Sequence, residues 1–379
     1  MTPNPFRPSF GVTPPLLAGR DTEILAFGDA LDASPGAPGR ATLYTGVRGI
    51  GKTVMLNEAE TQARQRGWVV VSETAVPGLV DRLTTHRLPE AAAALELSST
   101  GRRVTAVALP FHLGGLTWQT PAAEHHSDLR AQLTALTDHL ADHDTGLLIT
   151  VDELHRADRE GLRELAATVQ HCFREERPIA FAGAGLPTAI ADLLNDDVLT
   201  FLRRADRYHL GAVDPADVAD AIRTPLSTAG YRITDRALQM ATNGTGGYPF
   251  LIQLVGFWIC KLADTAEPAA EEVGLIDEAI AGAGVQAARR RLGSLIHEPA
   301  LRDLSHVDRT FLAAMAIDDG PSKMADVASR LTADANYASQ YRLRLIAADM
   351  IHPTGHGHVD FTLPYLRDYL REHAATTGL

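Results

Sequence analysis

The stretch that reads GVRGIGKT, from Gly46 to Thr53, has the residue types and spacing of a phosphate-binding loop. Its glycines allow the backbone to curl so that several N–H groups point at phosphate oxygens. The Lys52 ammonium would reach the β- and γ-phosphates of a nucleoside triphosphate, and the Thr53 hydroxyl would ligate Mg²⁺. The residues predicted to contact ATP or ADP here are Gly46, Val47, Arg48, Gly49, Ile50, Gly51, Lys52, Thr53 and Val54.

A second candidate lies about 100 residues later, where the apolar run Leu147 to Val151 ends in Asp152 and Glu153. Asp152 would hold Mg²⁺, and Glu153 would orient and polarise the attacking water. Many apolar strands end in acidic turns, so the pair alone is weak evidence. Together with the phosphate loop it predicts hydrolysis of ATP as well as binding.

The elements around these residues must bring them to one edge of a sheet. A β-prone run at 41–44 precedes the phosphate loop, and the helical pattern from Val54 to Arg66 follows it, which is the context that the motif requires. Strands and helices alternate up to about residue 213, which predicts an α/β fold with a parallel sheet. The carboxyl ends of such strands meet at one edge, so we expect the loop and the two carboxylates to face each other.

The rest of the chain divides by composition and periodicity. We expect a loose leader at 1–15, an α/β domain at 16–213 with an inserted hairpin at about 102–119, and a helical lid at 214–270. A linker helix at 271–300 precedes a C-terminal module at 301–379. The basic cluster Arg289 to Arg291 is interpreted as a solvated helix face.

Length, composition and net charge limit the class of protein to which the chain can belong. The chain has 379 residues, of which 45% are hydrophobic and 22% charged, and these values are typical of a globular protein. Two cysteines and the lack of a long apolar run favour a cytoplasmic protein without a membrane span. A formal charge of −12 argues against nonspecific adhesion to nucleic acid, although it leaves room for a local basic face.

The C-terminal module shows three helical segments followed by two short strands around a Gly-rich turn, which is typical of a winged helix. Its third helix, predicted at 336–350, would present Gln340, Arg342 and Arg344 to double-stranded DNA. The module holds 8 Arg and Lys against 10 Asp and Glu, so packing or protein contact is the alternative use. Its three wing histidines lack the partners of a metal site and are expected to be exposed.

With these residues in view, the chain resembles AAA+ ATPases of the origin-recognition-like group, overlapping the STAND class of switch ATPases. LLITVDELHRAD is similar to the Walker B strand of that group, and PIAFAGAGLP to its sensor 1 strand. The resemblance implies an adenine-contacting segment at Leu17, Ala18, Gly19 and Arg20, and a lid motif that brings Tyr248 and Pro249 to the nucleotide. It also implies an arginine finger at Arg203 or Arg204, and with it a homo-oligomer.

Two departures from that group concern catalysis. Ala182, Gly183 and Ala184 offer no side-chain donor where sensor 1 has a polar residue, and the lid lacks the sensor 2 arginine. Both losses favour a slow ATPase switch over a fast motor. Two functions remain open at this point: an ATP-hydrolysing switch that binds DNA through its winged helix, and a signalling ATPase that acts on a protein effector.

Overall fold

The computed structural model describes residues 3–9, 11–99, 128–194, 200–265 and 274–373. The hairpin predicted at 102–119 lies outside these residues. The N-terminal part of the described chain is a single parallel sheet of five strands with the order β2-β3-β4-β1-β5. Its strands are β1 (Ala41–Thr45), β2 (Val69–Thr74), β3 (Leu147–Asp152), β4 (Ile179–Gly185) and β5 (Asp206–His209).

Helices cover both faces of this sheet, because successive strand residues point to opposite sides. Leu147 and Ile149 of β3 belong to one buried core, while Leu148 belongs to the other. The expected α/β fold with a parallel sheet is thereby confirmed. The helices of this part are α1 (Asp21–Asp32), α2 (Lys52–Gln65), α3 (Leu79–Arg82), α4 (Leu88–Ser99), α5 (Leu129–Ala141), α6 (Arg159–Arg174) and α7 (Pro187–Leu194). A π-helical turn, Leu83–Arg87, joins α3 to α4, and 3₁₀ turns at Leu154–Arg156 and Thr200–Arg204 complete the set.

Three helices follow the sheet in the region predicted as a lid. They are α8 (Pro215–Thr228), α9 (Asp235–Thr245) and α10 (Pro249–Thr265). A short parallel pair, β6 (Arg232–Ile233) and β7 (Leu275–Ile276), joins this region to α11 (Glu278–Leu292). A π-helical turn, Gly293–His297, and α12 (Glu298–Arg302) lead into the C-terminal module.

The C-terminal module consists of short helices around a three-stranded antiparallel sheet with the order β8-β10-β9. Three helices precede the β9–β10 hairpin, and this arrangement is compatible with a winged helix. The wing histidines His352, His356 and His358 are exposed. No group of three His, Cys, Asp or Glu in the described ranges is placed to hold a metal. The elements are α13 (His306–Ala316), β8 (Ser322–Lys323), α14 (Met324–Arg330), α15 (Ala335–Ala347), β9 (Ile351–Gly355), β10 (His358–Phe361) and α16 (Leu366–Glu372).

Two elements end earlier than the sequence pattern predicts. The strand expected at 208–213 is β5, which ends at His209; the Leu210 N–H makes a last bond to Thr45. The helix expected at 336–350 stops at Ala347, because Asp349 has a left-handed backbone with φ 57°. Both ends redirect the chain toward the phosphate loop.

The N-terminal leader differs from the loose segment that was expected. The Phe6 ring is 3% exposed and packs over Gly256 of α10. The Asn4 amide donates to the Phe257 carbonyl at 2.9 Å, and the Arg7 N–H donates to Gln253 Oε1 at 3.1 Å. These contacts hold the described part of the leader against the lid helices.

The structure also bears on the cysteines and on membrane insertion. Cys172 and Cys260 are buried free thiols. In the part of the chain that the structure describes, none of the helices combines the length and the apolar character that crossing a bilayer needs.

Candidate functional site

The phosphate loop follows β1 directly and enters α2 at Lys52. Gly46, Gly49 and Gly51 have φ of 158°, 75° and 99°, which lets the chain curl between strand and helix. A Cβ on Gly46 would come within 2.8 Å of the Leu210 carbonyl oxygen, so this position has no room for a side chain. The first amides of α2 and the loop amides therefore form an anion-binding concavity.

Lys52 lies inside this concavity and is only 7% exposed. Its ammonium donates to the carbonyls of Gly46 at 2.8 Å and Val47 at 2.9 Å. Burial lowers the pKa of Lys52, and the negative charges of Glu153, Asp349 and Asp152 counteract that shift. A buried ammonium at this position is the charge that a phosphate group requires.

The predicted Mg²⁺ ligands Thr53 and Asp152 are brought together although 99 positions separate them. The Thr53 hydroxyl donates to Asp152 Oδ2 at 2.6 Å. The other carboxylate oxygen of Asp152 accepts the Glu153 N–H at 2.7 Å, which fixes the turn after β3. A hydroxyl and a carboxylate at one strand edge are the oxygen ligands that Mg²⁺ takes in phosphate sites, so these residues fit the ion.

Glu153 lies at the same edge and is held by a residue that the sequence analysis did not single out. Its Oε2 is 3.0 Å from His155 Nε2. The hydrogen bond from His155 is the largest cause that lowers the pKa of Glu153, and the charges of Lys52 and Arg156 act in the same direction. Glu153 is therefore a carboxylate in its ionised form, as a water-polarising group must be.

The lid contacts the loop through Tyr248. The Tyr248 hydroxyl donates to the Arg48 carbonyl at 2.5 Å and lies where a Cβ on Gly49 would be. Burial raises the pKa of this phenol above its usual range, so the hydroxyl remains a donor. Pro249 follows at the start of α10 and lines the cavity.

The segment expected to contact adenine packs against the chain after β5 and against α8. The Arg20 guanidinium donates to the Gly211 carbonyl at 2.5 Å, beyond the end of β5. Gly19 has φ 66°, and a Cβ there would meet Asp217 of α8 at 2.8 Å. Leu17 and Ala18 line the cavity together with Arg20.

A cavity of about 720 Å³ joins these groups, a volume within the usual range for small-molecule sites. Of the predicted residues it is lined by Leu17, Ala18 and Arg20, by those from Arg48 to Val54, by Glu153 and by Pro249. The predicted residues Gly19, Gly46, Val47, Asp152 and Tyr248 do not line it. Lining residues that sequence reasoning missed come from the leader, the turn after β3 and the region of α12: Arg7, Ser9, Gly11, Val12, Pro14, His155, Arg156, Ile296, Pro299 and Asp303.

The C-terminal module also reaches the phosphate loop. The carboxyl of Asp349 is 8% exposed and lies close to the main-chain N–H of Arg48. Burial raises the pKa of Asp349, and Lys52 and Arg48 counteract that shift by their charge. A carboxylate from the turn after α15 thus lies beside the loop that is built to receive phosphate. Only the tertiary structure reveals this contact, because nothing in the local sequence marks Asp349.

Other predicted residues lie away from the cavity. Arg203 and Arg204 are exposed on the 3₁₀ turn before β5, and Arg203 Nε donates to the Leu194 carbonyl at 2.6 Å. Of the DNA candidates on α15, Gln340 is exposed, and Arg342 is half-buried. Arg344 donates to Asp308 Oδ2 at 2.7 Å and stacks on Tyr341, so its charge is already paired.

Comparison with known proteins agrees with this geometry. Residues 16–181 match the model of the AAA ATPase domain family, and residues 294–370 match a domain of unknown function, DUF8462. A comparison with curated proteins found no relative of similar sequence.

Two solved structures share the fold over nearly the whole chain. The Walker-type ATPase PabY2304 of Pyrococcus abyssi superposes with a TM-score of 0.63 at 14% identity, covering 94% of this chain and 96% of that one. The ORC2 protein of Aeropyrum pernix, in ADPNP–ADP complexes, gives 0.59 at 15% identity over 97% and 98% of the two chains. At these identities the likeness concerns the fold alone. The chain thus contains, at residues 16–181, a region that matches the AAA ATPase domain family, within an α/β fold consistent with P-loop AAA+ ATPases.

Proposed function

We propose that this protein is an ATP-hydrolysing switch in which nucleotide binding changes the contact between the phosphate loop and the C-terminal module. The observation that carries the proposal is the buried carboxyl of Asp349 beside the phosphate loop, where the charges of Lys52 and Arg48 act on it. A ligand that binds one arrangement better than another shifts the population toward it. The negative charge of a bound phosphate would repel Asp349, so the two compete for the loop.

The chemistry assigns a task to each side chain at the edge of the sheet. Lys52 would leave its two carbonyl partners and bind the β- and γ-phosphates. Thr53 and Asp152 would hold Mg²⁺, which neutralises charge that develops on the phosphate oxygens. Glu153 would accept a hydrogen bond from the attacking water and orient it toward the terminal phosphate.

The adenine and ribose would lie in the wider part of the cavity. Leu17, Ala18 and Pro249 give that part an apolar wall, and Ser9 and Gln253 add polar atoms. An apolar pocket with a few polar groups is typical of nucleotide and cofactor sites. The AAA ATPase match at residues 16–181 supports nucleotide binding here.

The lysine of the loop provides the most direct test. We expect Lys52→Ala to abolish measurable binding of Mg-ATP, because the loop loses the only ammonium that lines the described cavity. Isothermal titration of the variant and of the wild type measures the effect, with circular dichroism as the check on folding. Unchanged ATP affinity and turnover in a folded variant would contradict the proposed function.

The contact with the C-terminal module makes a separate prediction. We expect Asp349→Asn to tighten ATP binding by roughly 5- to 30-fold, which corresponds to about 1–2 kcal/mol for one screened charge pair. Titration with Mg-ATP measures it. Asp334→Asn is the matched control, because Asp334 caps α15 on the same module and Asn caps helices equally well. Equal ATP affinity in the wild type and in Asp349→Asn would show that Asp349 does not compete with phosphate for the loop.

The arginine finger and the homo-oligomer belong together in the proposal. Arg203 and Arg204 are exposed on the turn before β5, so a neighbouring subunit could meet them. If one acts on a neighbour's phosphate, specific activity should rise with protein concentration, and its replacement by Ala should lower kcat by 10³-fold or more. Activity that is constant on dilution, with both arginines dispensable, would favour a monomeric switch.

Two effectors are consistent with the switch, and specific observations favour each. Half-buried Arg342 and exposed Gln340 lie on α15, the helix that enters DNA in winged-helix proteins. In contrast, Arg344 is paired with Asp308, α15 lies against α7, and Tyr337 and Leu343 are 41% and 59% exposed. Exposed apolar side chains on this helix favour a protein partner as the second candidate.

A DNA-binding assay with varied salt separates the two effectors. If α15 binds a duplex, Arg342→Ala should weaken DNA binding. It should also reduce the slope of log affinity against log salt concentration by about one. Fluorescence anisotropy with a labelled duplex, with Mg-ATP and with Mg-ADP, measures both quantities. Arg302→Ala is the control, since Arg302 is 73% exposed on α12 and pairs only with its helix neighbour Glu298 among the described residues. No salt-dependent affinity in either nucleotide state would favour the protein effector.

A further inference from the structure

The carboxyl end of β4 lies between the two functional strands. β4 pairs with β1 on one side, Gly185 opposite Thr45, and with β3 on the other, Gly183 opposite Val151. Because successive side chains alternate, a side chain at 183 or 185 would lie on the face of the sheet that carries Leu154. The residues there, however, are alanines and glycines followed by Leu186, and none has a polar side chain.

Leu154 takes the space that such a side chain would need. A Cβ on Gly183 would come within 2.7 Å of Leu154 Cδ1, and one on Gly185 within 3.4 Å of Leu154 Cβ. Leu154 is 1% exposed and belongs to the core on that face of the sheet. A side chain at 183 would therefore have to displace the end of Leu154, while Ala182 and Ala184 belong to the core on the other face of the sheet.

The turn after β3 places the next residue in the cavity. Glu153 has φ 56° and ψ 40°, a left-handed conformation that only some residues adopt readily. The 3₁₀ turn Leu154–Arg156 starts there, so Leu154 packs onto β4 while His155 lines the cavity beside Glu153. The same turn thus places Leu154 against the carboxyl end of β4 and the His155 imidazole in the cavity.

His155 is well placed to fix the Glu153 carboxylate. The Nε2–Oε2 distance is 3.0 Å, and the His155 side chain is 19% exposed against 38% for Glu153. Its other ring nitrogen, Nδ1, is buried without a hydrogen-bond partner among the described residues. A bond to Oε2 leaves the second oxygen of Glu153 to accept from a water. A catalytic carboxylate that is held in the correct orientation lowers the activation free energy of the reaction.

We propose that His155 is the positioning residue for Glu153 and performs the orienting role for which β4 has no side chain. This inference rests on the proposed ATP hydrolysis. It assigns to His155 no contact with the nucleotide, so the residue acts on turnover through Glu153. The alternative is that the pair holds Glu153 in an inactive orientation, in which case loss of His155 would raise turnover.

Two amide substitutions test the role without leaving a large cavity. The amide nitrogen of Gln lies close to the position of Nε2, whereas that of Asn is shorter and lies close to Nδ1. We expect His155→Gln to keep kcat within about threefold of wild type, and His155→Asn to lower it by roughly 10- to 100-fold, the range for lost orientation of a general base. The KM for ATP should change less than about twofold in both variants. His155 is assigned no contact with ATP, so its replacement removes no interaction that contributes to binding of the substrate.

Glu153→Gln serves as the reference in the same assay. It should retain ATP binding while kcat decreases by about 10²-fold or more, because the carboxylate that polarises water is removed. Adding His155→Asn to Glu153→Gln should cause little further loss, since residues that act as a unit are non-additive. Full additivity would mean that His155 acts independently of Glu153.

The outcomes separate the inference from the function on which it rests. If Lys52→Ala and Glu153→Gln hydrolyse ATP at the wild-type rate, the proposed function fails. If those two lose activity while His155→Asn matches or exceeds the wild type, only the inference is overturned. An equal loss of kcat in His155→Gln and His155→Asn, or an effect confined to KM, also overturns it. Circular dichroism confirms that each variant is folded, and Mg-ADP affinity is a second check for the variants at 153 and 155.

Discussion

A loop that directs its N–H groups at one anion must have its other backbone groups bonded elsewhere, and this requirement organises the structure around residues 46–53. The carbonyls of Gly46 and Val47 accept from the Lys52 ammonium, and the Arg48 carbonyl accepts from the Tyr248 hydroxyl. The buried carboxyl of Asp349 lies beside Arg48 and Lys52, whose charges act on it. Because these partners come from the loop itself, the lid and the C-terminal module, a change at the loop acts on both of the other regions.

The order of the strands in the sheet brings the few reacting groups to one edge. The order β2-β3-β4-β1-β5 places β4 between the strand of the loop and the strand of the two carboxylates. Side chains at three adjacent strand ends share one edge, and small residues on β4 let the turn after β3 approach closely. Thr53 and Asp152 meet across that gap at 2.6 Å. The arrangement favours a compact site that tolerates no bulk on β4.

The sequence predicts those features that depend on local pattern. The phosphate loop, the Asp152–Glu153 pair and the strands before them are read from short motifs and apolar runs, and the structure brings the motifs together as expected. His155, Asp349 and the leader could not be found this way, because their roles depend on which distant elements they meet. Asp349 is one of many acidic residues until the turn after α15 places it beside Arg48. Likewise, Arg344 fits a DNA-binding pattern, and only its bond to Asp308 shows that its charge is paired.

The leader has a consequence for how this chain and its relatives can vary. The Phe6 ring occupies the position that a side chain at 256 would need, so Gly256 has to lack one. A larger residue at 256 would expel the ring and with it Arg7 and Ser9, which line the cavity. Positions 6 and 256 are therefore coupled: in any family with this packing, a bulky aromatic at the first should occur with glycine at the second. Where the aromatic residue at position 6 is lost, alanine or serine becomes acceptable at position 256 of α10. The cavity is then open on the side of the leader.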